Sequence, residues 1–210
     1  MSKARAKKIK VILFDVDGVL TDGTIWIVPS LSPGGKSAGP VDSATLEALA
    51  DQGGFSISSS DFTESKGFHA HDGTGITLAR LAGLKTGVIT KRLSQVVALR
   101  ARDLKIDHVY QGQADKTQAL EKIAAAEKVK LSEIAFLGDD IVDLPVMRKC
   151  GLAIAVKNSR KALLAEAHYV TPSKGGEGAA RDAVEYILRA QGRLKQIVEQ
   201  YVSSRPEAQR

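Results

Sequence analysis

The chain has 210 residues, of which 43% are hydrophobic and 26% are charged. This length suits one domain with a substantial core, and no apolar run approaches the roughly 20 residues that span a bilayer. The formal net charge is +6, but much of the excess lies near the two ends and aromatic residues make up only 5%. This pattern argues against a nucleic-acid-binding surface and suits a small anionic substrate.

The cysteine content and the N-terminus indicate the compartment. The single cysteine, Cys150, excludes an intrachain disulfide and fits a reducing environment. The basic N-terminal stretch is followed by only a short apolar run, residues 11–14, which is not the pattern of a signal peptide. We therefore expect a cytoplasmic protein with neither a membrane nor a nucleic-acid partner.

Short apolar segments alternate with segments of helical periodicity along most of the chain. Buried strands are predicted, from their content of Val, Ile and Leu, at residues 11–14, 86–89, 108–110, 134–137 and 152–156. Apolar periodicity predicts helices around residues 76–82, 96–104 and 119–124, and one long C-terminal helix over 180–201 in which Gly192 is a weak point. The alternation predicts an α/β fold, with a Rossmann-like, doubly wound and mainly parallel sheet.

One region interrupts this alternation. Residues 29–54 are rich in Gly and Pro and predict a loop, within which Asp42 is a candidate cap for a short helix over 43–50. Residues 24–28 and 55–58 flank the loop and alternate as hairpin strands do. We expect a single domain over residues 1–210, with a β-hairpin flap at about 24–66, a C-terminal helical tail at about 178–204 and no separate cap domain. The tail either packs on the sheet or reaches a neighbouring subunit.

Carboxylates follow the first predicted strand directly. Asp15 and Asp17 come after residues 11–14, and ligands of open α/β sheets collect beyond the carboxyl ends of strands. Like charges this close raise each other's pKa unless a cation neutralises them, and hard oxygen ligands favour Mg²⁺. The alternative is an Asp-rich turn closed by Gly18.

Three further segments contain polar groups of the same kind. Asp139, Asp140 and Asp143 follow the strand at 134–137, although Asp143 could also cap the next helix. Thr90, Lys91 and Arg92 follow the strand at 86–89, and Lys116 stands at a predicted helix start. A hydroxyl, exposed N–H groups and an ammonium are what a phosphoryl group requires. Each feature alone is weak, but their joint occurrence predicts a phosphoryl site with a metal ion.

These motifs resemble those of the haloacid dehalogenase superfamily of phosphatases. The resemblance rests on Asp-Val-Asp-Gly-Val from Asp15, the strand-end Thr90, Lys116, and Gly-Asp-Asp-x-x-Asp ending at Asp143. Further details resemble the small capless phosphatases of 3-deoxy-D-manno-octulosonate 8-phosphate in lipopolysaccharide sugar synthesis. They are Leu-Thr-Asp-Gly at 20–23, Phe68, Asp72-Gly73-x-Gly75-Ile76, Arg100, and the segments 108–112, 143–147 and 175–181.

The resemblance implies a role for each motif residue. Asp15 is expected to attack phosphorus, and Asp17 to protonate the leaving oxygen and later to activate water. Thr90 and Lys116 are expected to hold the phosphoryl group. Mg²⁺ would be bound by Asp15, Asp17 and Asp139, while Asp140 and Asp143 would orient the metal's water ligands or Lys116. Substrate contacts are expected from Asp17, His69, Ala70, His71, Asp72, Gly73, Arg92, Arg100 and Lys116.

The chain departs from the subfamily pattern at several positions. Lys91 stands where the subfamily usually has Gly, and His71, Thr77 and Glu177 stand where it usually has Arg. The flap is also longer than a hairpin turn requires. The resemblance implies a homotetramer in which the hairpin and the tail help to close a neighbour's active site. These departures bear on substrate specificity and assembly more than on the reaction.

Three alternative functions remain at this point. One is a phosphatase of a nine-carbon sugar phosphate of the sialic-acid type. Another is a phospho-receiver module, against which Asp17 argues because that module has no Asp-x-Asp-Gly pair. The third is a regulatory domain without catalysis, which would be expected to lack Asp15, Asp17 or Lys116. Because all three residues are present, we expect an enzyme.

Overall fold

The computed structural model describes residues 2–29 and 62–203. The predicted short helix at 43–50 and the predicted strand at 55–58 lie outside the described residues. None of the described helices is long and apolar enough to cross a membrane.

A six-stranded sheet forms the centre of the molecule. The strands of the described chain are β1 (Val11–Phe14), β2 (Trp26–Pro29), β3 (Phe62–Ser65), β4 (Lys85–Ile89), β5 (His108–Tyr110), β6 (Ile134–Gly138), β7 (Leu152–Ala155) and β8 (Tyr169–Val170). The order in the sheet is β5-β4-β1-β6-β7-β8, and every neighbouring pair is parallel. The chain extends the sheet to one side of β1 first and then to the other. The strand order therefore reverses at β1, where ligands of such sheets bind.

Helices connect the strands. They are α1 (Ser2–Ala6), α2 (Ala70–Leu81), α3 (Gln95–Asp103), α4 (Lys116–Ala126), α5 (Leu144–Lys149), α6 (Lys161–Glu166), α7 (Ala179–Ala190) and α8 (Leu194–Ser203). Two short 3₁₀ helices, Leu131–Glu133 and Ile141–Asp143, lie on either side of β6.

Side chains of β1 alternate between two hydrophobic layers. Ile12 and Phe14 belong to the cluster that includes apolar residues of α2 and α7. Val11 and Leu13 belong to the cluster that includes α4 and α5. All four are fully buried, as expected for a central strand with helices on both faces. The predicted doubly wound α/β fold is confirmed, and the described residues contain no separate cap domain.

Residues Ile25–Lys66 form a second compact unit. Within it, β2 and β3 pair antiparallel, with Trp26 opposite Ser65 and Pro29 opposite Phe62. Among the described residues, the partner of the first hairpin strand is Phe62–Ser65.

The prediction of one long C-terminal helix was wrong. Helix α7 ends at Ala190, and α8 begins at Leu194. Gly192 adopts φ +72°, its N–H donates to the carbonyl of Arg189, and the N–H of Arg193 donates to the carbonyl of Leu188. This is a Schellman motif, in which a left-handed glycine satisfies the last carbonyls of a helix. The apolar periodicity continues across the break because both helices bury one face against the same core.

Candidate active site

A polar cavity of about 190 Å³ lies beyond the carboxyl ends of β1, β4 and β6. It is lined by Asp15, Asp17, Thr90, Lys91, Arg92, Lys116, Asp139, Asp140 and Val142. Parallel strands present their carboxyl ends at one edge of the sheet, so residues that are far apart in sequence meet there. The strand-end residues predicted from the sequence therefore occupy one site, and Val142 is the member that the sequence did not indicate.

A tight turn after β1 positions the two aspartates that follow it. The N–H of Asp15 still belongs to the sheet and donates to Leu137 at 3.0 Å. The carbonyl of Val16 then accepts N–H groups of the next residues, including that of Leu20 at 2.9 Å. Gly18 adopts φ +85°, which side chains other than hydrogen rarely permit. The turn places Asp15 in a buried position and leaves Asp17 partly exposed at the cavity.

Lys116 joins two buried carboxylates. It begins α4, whose N-cap Asp115 accepts the N–H of Thr117 at 2.9 Å. The Nζ atom lies 2.8 Å from Oδ1 of Asp15 and 2.6 Å from Oδ1 of Asp143. Burial alone would lower the pKa of Lys116, but the two carboxylates outweigh burial and raise this pKa. Lys116 is therefore a fixed positive charge beside the first strand-end aspartate.

The carboxylates at this edge are hard to ionise together. Burial, assisted by the charge of Asp143, raises the pKa of Asp15 to about 6, although Lys116 opposes the change. Burial, assisted by the charges of Asp15 and Asp143, raises the pKa of Asp139 to about 7. Carboxylates that repel one another in a buried site favour a bound cation, which would stabilise their ionised forms.

The donor set fits a small divalent cation. Asp15, Asp139 and Asp143 each offer an oxygen, and these oxygens lie within 4.8 Å of one another. A Cβ at Gly18 would collide with the carboxylate of Asp139, so glycine provides the space for that side chain. Hard carboxylate oxygens at this spacing match the preference of Mg²⁺.

Asp143 is better suited to support than to coordination. Its Oδ1 accepts from Lys116, and its Oδ2 accepts the N–H of Asp139 at 3.0 Å. Both oxygens therefore already have donors, and the side chain is fully buried. Asp140 instead caps a short 3₁₀ helix by accepting the N–H of Ile141 at 2.7 Å. Asp143 therefore contacts Lys116 directly, and its predicted role in orienting this lysine stays a prediction.

The carboxylate of Asp17 lies outside this group of three. Its Oδ2 is 3.7 Å from Nε of Arg92, so a cation of the β4 turn faces it. Its predicted part in metal binding stays a prediction, whereas its place in the cavity lining suits contact with a substrate.

The turn after β4 brings a hydroxyl to the same cavity. Thr90 is buried, its N–H donates to Tyr110 at 2.9 Å, and its carbonyl accepts from Gln113 at 3.0 Å. Its Oγ1 accepts the N–H of Arg92 at 3.4 Å. The strand thus holds Thr90 in place, while Lys91 and Arg92 extend as exposed residues at the cavity.

The remaining predicted substrate contacts form a different cluster. His69, Ala70, His71, Asp72 and Gly73 surround the start of α2, and Arg100 lies next to them. None of these six residues lines the cavity at Asp15 within the described chain. The structure therefore does not bring the two sets of predicted residues into one cavity.

Close packing holds the second cluster together. A Cβ at Gly73 would lie 2.9 Å from the Arg100 guanidinium, whose Cζ is 5.6 Å from the ring centre of Phe68. Asp72 accepts the N–H of Arg181 at 3.0 Å, and burial raises the pKa of Asp72. In this chain Asp72 therefore connects α2 to α7. Thr77, one of the positions at which the sequence departs from the subfamily pattern, donates its hydroxyl to the carbonyl of Gly73 at 3.0 Å.

The glycines at 175 and 176 support the turn after β1. A Cβ at Gly175 would collide with the carbonyl of Gly18, and the N–H of Gly176 donates to Val19 at 2.9 Å. This role was not evident from the sequence, because a pair of glycines does not reveal which backbone it approaches.

A larger cavity, of about 870 Å³, lies at the amino ends of β1 and β4, opposite the carboxyl ends that line the first cavity. Cations line it, but Lys10 pairs with Glu133 at 2.7 Å and Lys85 with Asp107 at 3.1 Å. Arg193 donates to a backbone carbonyl at the end of α2 at 2.6 Å. Within the described chain, the lining of this larger cavity includes none of the aspartates that follow β1 and β6. The candidate catalytic groups therefore lie in the smaller cavity.

The fold and this site define a class of protein. The cavity brings together an aspartate pair after the first strand, a strand-end threonine, a buried lysine and a further aspartate. These are the residue types of the predicted phosphoryl site, and they lie where the strand order of the parallel sheet reverses. Residues 88–181 match the haloacid dehalogenase-like hydrolase family.

Comparison with known proteins narrows the class. The chain is 35% identical over 191 residues to 3-deoxy-D-manno-octulosonate 8-phosphate phosphatase of Yersinia pestis, covering 91% of this chain and 86% of that protein. It is 34% identical over 195 residues to the protein of that name from Escherichia coli K12, covering 91% and 85%. The chain therefore belongs to the haloacid dehalogenase family, in the branch that contains these phosphatases.

Solved structures agree. The Moraxella catarrhalis phosphatase, crystallised with magnesium, phosphate and the sugar acid KDO, superimposes with a TM-score of 0.76 at 32% identity, covering 95% of this chain and 97% of that chain. The Yersinia pestis structure gives a TM-score of 0.74 at 34% identity, covering 92% and 88%. The predictions of the family, the fold class and a phosphomonoesterase are confirmed.

Proposed function

We propose that the protein is a Mg²⁺-dependent phosphatase of 3-deoxy-D-manno-octulosonate 8-phosphate that acts through a phosphorylated Asp15. The observation that carries the proposal is the contact of Asp15 with Lys116 at 2.8 Å, in a cavity shared with Asp139 and Thr90. A carboxylate held beside a fixed cation is suited to attack phosphorus, since the cation offsets the negative charge of the incoming phosphoryl group.

The first step is transfer to Asp15. A bond forms between a carboxylate oxygen of Asp15 and phosphorus while the bond from phosphorus to the sugar oxygen breaks. Asp17, at the cavity and partly exposed, gives its proton to that leaving oxygen. Lys116 and the hydroxyl of Thr90 hold the oxygens of the transferring group.

The second step is hydrolysis. Asp17 accepts a proton from a water molecule, whose oxygen bonds to phosphorus as the bond to Asp15 breaks. Phosphate leaves, and Asp15 returns to its carboxylate form. Asp17 is then protonated again and ready for the next cycle.

Asp15 and Asp139 are the residues that would hold Mg²⁺, with Asp143 orienting their surroundings. When bound, Mg²⁺ supplies positive charge that stabilises the attacking and transferring oxygens. The assignment draws support from the Moraxella relative, which was solved with magnesium. The further metal contact assigned to Asp17 remains part of the proposal.

Several finer predictions belong to this proposal. They are a cytoplasmic homotetramer, a part in lipopolysaccharide sugar synthesis, and substrate contacts from the cluster at residues 69–73 together with Arg92 and Arg100. That cluster and the cavity have separate linings within the described chain, so we propose that different subunits supply the two parts of one substrate site.

The decisive experiment is a turnover assay with purified protein, Mg²⁺ and a panel of sugar-acid phosphates. We expect the eight-carbon 3-deoxy-D-manno-octulosonate 8-phosphate to have the highest kcat/KM, and chelation to abolish turnover. Asp15→Asn serves as the inactive control. A higher kcat/KM for a nine-carbon sialic-acid-type phosphate would show that this compound, and not the eight-carbon one, is the substrate. Absence of Mg²⁺-dependent turnover of any phosphomonoester would contradict the proposal that the protein is a phosphatase.

A further inference from the structure

The charges around the 190 Å³ cavity are nearly balanced before any ligand binds. Its lining includes four carboxylates, those of Asp15, Asp17, Asp139 and Asp140. It also includes three cations, which are Lys91, Arg92 and Lys116. A phosphoryl group adds further negative charge, so the cations that remain available to it determine how strongly it binds.

Two of these cations already face carboxylates. Lys116 lies within 2.8 Å of two aspartates, and Nε of Arg92 is 3.7 Å from Oδ2 of Asp17. Lys91 differs, because among the residues that the structure describes no carboxylate oxygen lies within 4.0 Å of its ammonium. Its side chain is exposed at the cavity. Within the described part of the chain, no ion pair offsets its charge.

The size of the cavity indicates which part of a substrate Lys91 meets. The cavity is small, about 190 Å³, and its lining includes Asp15, Thr90 and Lys116, the groups proposed to hold the phosphoryl group. It suits a phosphoryl group with a metal ion, and the remainder of a sugar phosphate extends through its open side. A residue that lines the cavity therefore contacts the phosphoryl end of the substrate.

We infer that Lys91 is a phosphoryl-binding residue of this chain, whose ammonium pairs with an oxygen of the bound phosphate at the mouth of the cavity. The inference rests on the proposed phosphatase site. It makes Lys91 the third cation of the cavity lining, beside Arg92 and Lys116. Lys91 comes directly after Thr90, which the sheet holds in place. Its flexible four-carbon side chain lets the ammonium reach a phosphate bound in the cavity.

Two consequences follow for the enzyme. Lys91 strengthens the binding of every phosphomonoester by the same factor, since the phosphoryl group is common to all of them. It also strengthens the binding of the product phosphate, so this chain is more sensitive to product inhibition than a Lys91→Gly form. Because the ammonium is exposed, both effects weaken as the salt concentration rises.

The test compares Lys91→Gln with Lys91→Arg, which keeps the charge. Calorimetric titration with inorganic phosphate in the presence of Mg²⁺ measures binding directly, without reference to which sugar acid is hydrolysed. We expect Lys91→Gln to raise Kd for phosphate about 5- to 10-fold, between the value of an exposed ion pair and that of a charge-assisted hydrogen bond. Lys91→Arg should stay within about 2-fold of the wild type.

Steady-state kinetics provide the second readout. Lys91→Gln should raise KM for p-nitrophenyl phosphate and for the sugar-acid phosphate by the same factor, with kcat nearly unchanged. Lys122→Gln, at an exposed position of α4, removes the same charge outside the cavity lining and should change neither constant. Equal phosphate affinity of Lys91→Gln and wild type would overturn the inference, as would a KM that rises for the sugar-acid phosphate alone. Either result would leave the proposed function intact if turnover persists.

Discussion

The raised pKa values at the acidic cluster predict a steep pH dependence of Mg²⁺ binding. Asp15 and Asp139 are both candidate ligands, and a carboxyl group must be ionised to bind the metal well. Burial is the main reason that the pKa of Asp15 is about 6 and that of Asp139 about 7. Acidification therefore protonates both groups in a pH range where ordinary carboxyl groups stay ionised.

The size of the effect follows from the two ionised fractions. At about pH 7.5 nearly all of Asp15 and about three quarters of Asp139 are ionised, while at about pH 5.5 the fractions are about a quarter and about 3%. Their product falls about 100-fold, and the apparent Mg²⁺ affinity should fall by the same factor. Two carboxyl groups with ordinary pKa values would produce almost no change over this range.

Stability provides an independent readout of the same groups. In the metal-free protein both pKa values lie above those of the unfolded chain, so the folded state binds protons more tightly. The stability that these two groups contribute is thus present below the unfolded pKa of 3.8 and is lost as the pH rises through about 6 and about 7. Mg²⁺ should therefore raise Tm more at about pH 7.5 than at about pH 5.5.

The assay is a calorimetric Mg²⁺ titration at both pH values, repeated in two buffers of different ionisation enthalpy to count the protons released. Near pH 6.5 we expect release of about one proton for each Mg²⁺ bound. Asp139→Asn should abolish most of the pH dependence together with most of the affinity. A change in affinity below about 3-fold between the two pH values, without proton release, would refute the assignment of these carboxyl groups as ligands.

Three substitutions test the other parts of the site. Asp17→Asn should abolish turnover of a sugar phosphate. With p-nitrophenyl phosphate the variant should still give a burst of about one equivalent of nitrophenol, because nitrophenolate leaves without a proton. Full steady-state turnover by this variant would contradict the acid–base role of Asp17. Lys116→Met leaves buried carboxylates without their cation and should lower the free energy of unfolding by about 3–5 kcal/mol in urea titrations, whereas an unchanged midpoint would contradict the ion pair. Gly18→Ala places a Cβ against Asp139 and should weaken Mg²⁺ binding about 10-fold or more. The control is Gly67→Ala, where a Cβ meets nothing within 4 Å. Equal Mg²⁺ affinities of the two variants would count against the packing argument.

Much of the sheet could be predicted because its strands are short apolar runs that helices cover on both faces. Val11–Phe14 and Ile134–Gly138 are buried at every residue, so their sequences contain no polar interruption. Tyr169–Val170 has only two residues and was missed, since such a segment has no periodicity to detect. The end of α7 depends on the left-handed conformation of Gly192, which apolar periodicity alone does not reveal.

The aspartates and Lys116 could be placed together because strand ends meet at one edge of a parallel sheet. The contacts of Arg100 and Asp72 could not be predicted from the sequence, since the positions of these residues depend on how α2 packs against α3 and α7. The sequence indicated that these residues are polar members of a motif. It contained no signal that Asp72 would accept the N–H of Arg181 from a distant helix.

Asp143 explains how one buried residue can couple the two halves of the site. Its Oδ1 accepts from Lys116, the proposed phosphoryl-binding cation, and its Oδ2 accepts the N–H of Asp139, a candidate metal ligand. A Cβ at Gly138 would lie 2.5 Å from Oδ2 of Asp143, so that glycine allows the carboxylate to approach the strand end. Burial is the main cause of the raised pKa of both Asp15 and Asp139, and the charge of Asp143 adds to both shifts. The arrangement that positions the lysine thus also makes the metal-free cluster electrostatically unfavourable, and a bound cation removes that cost while completing the site.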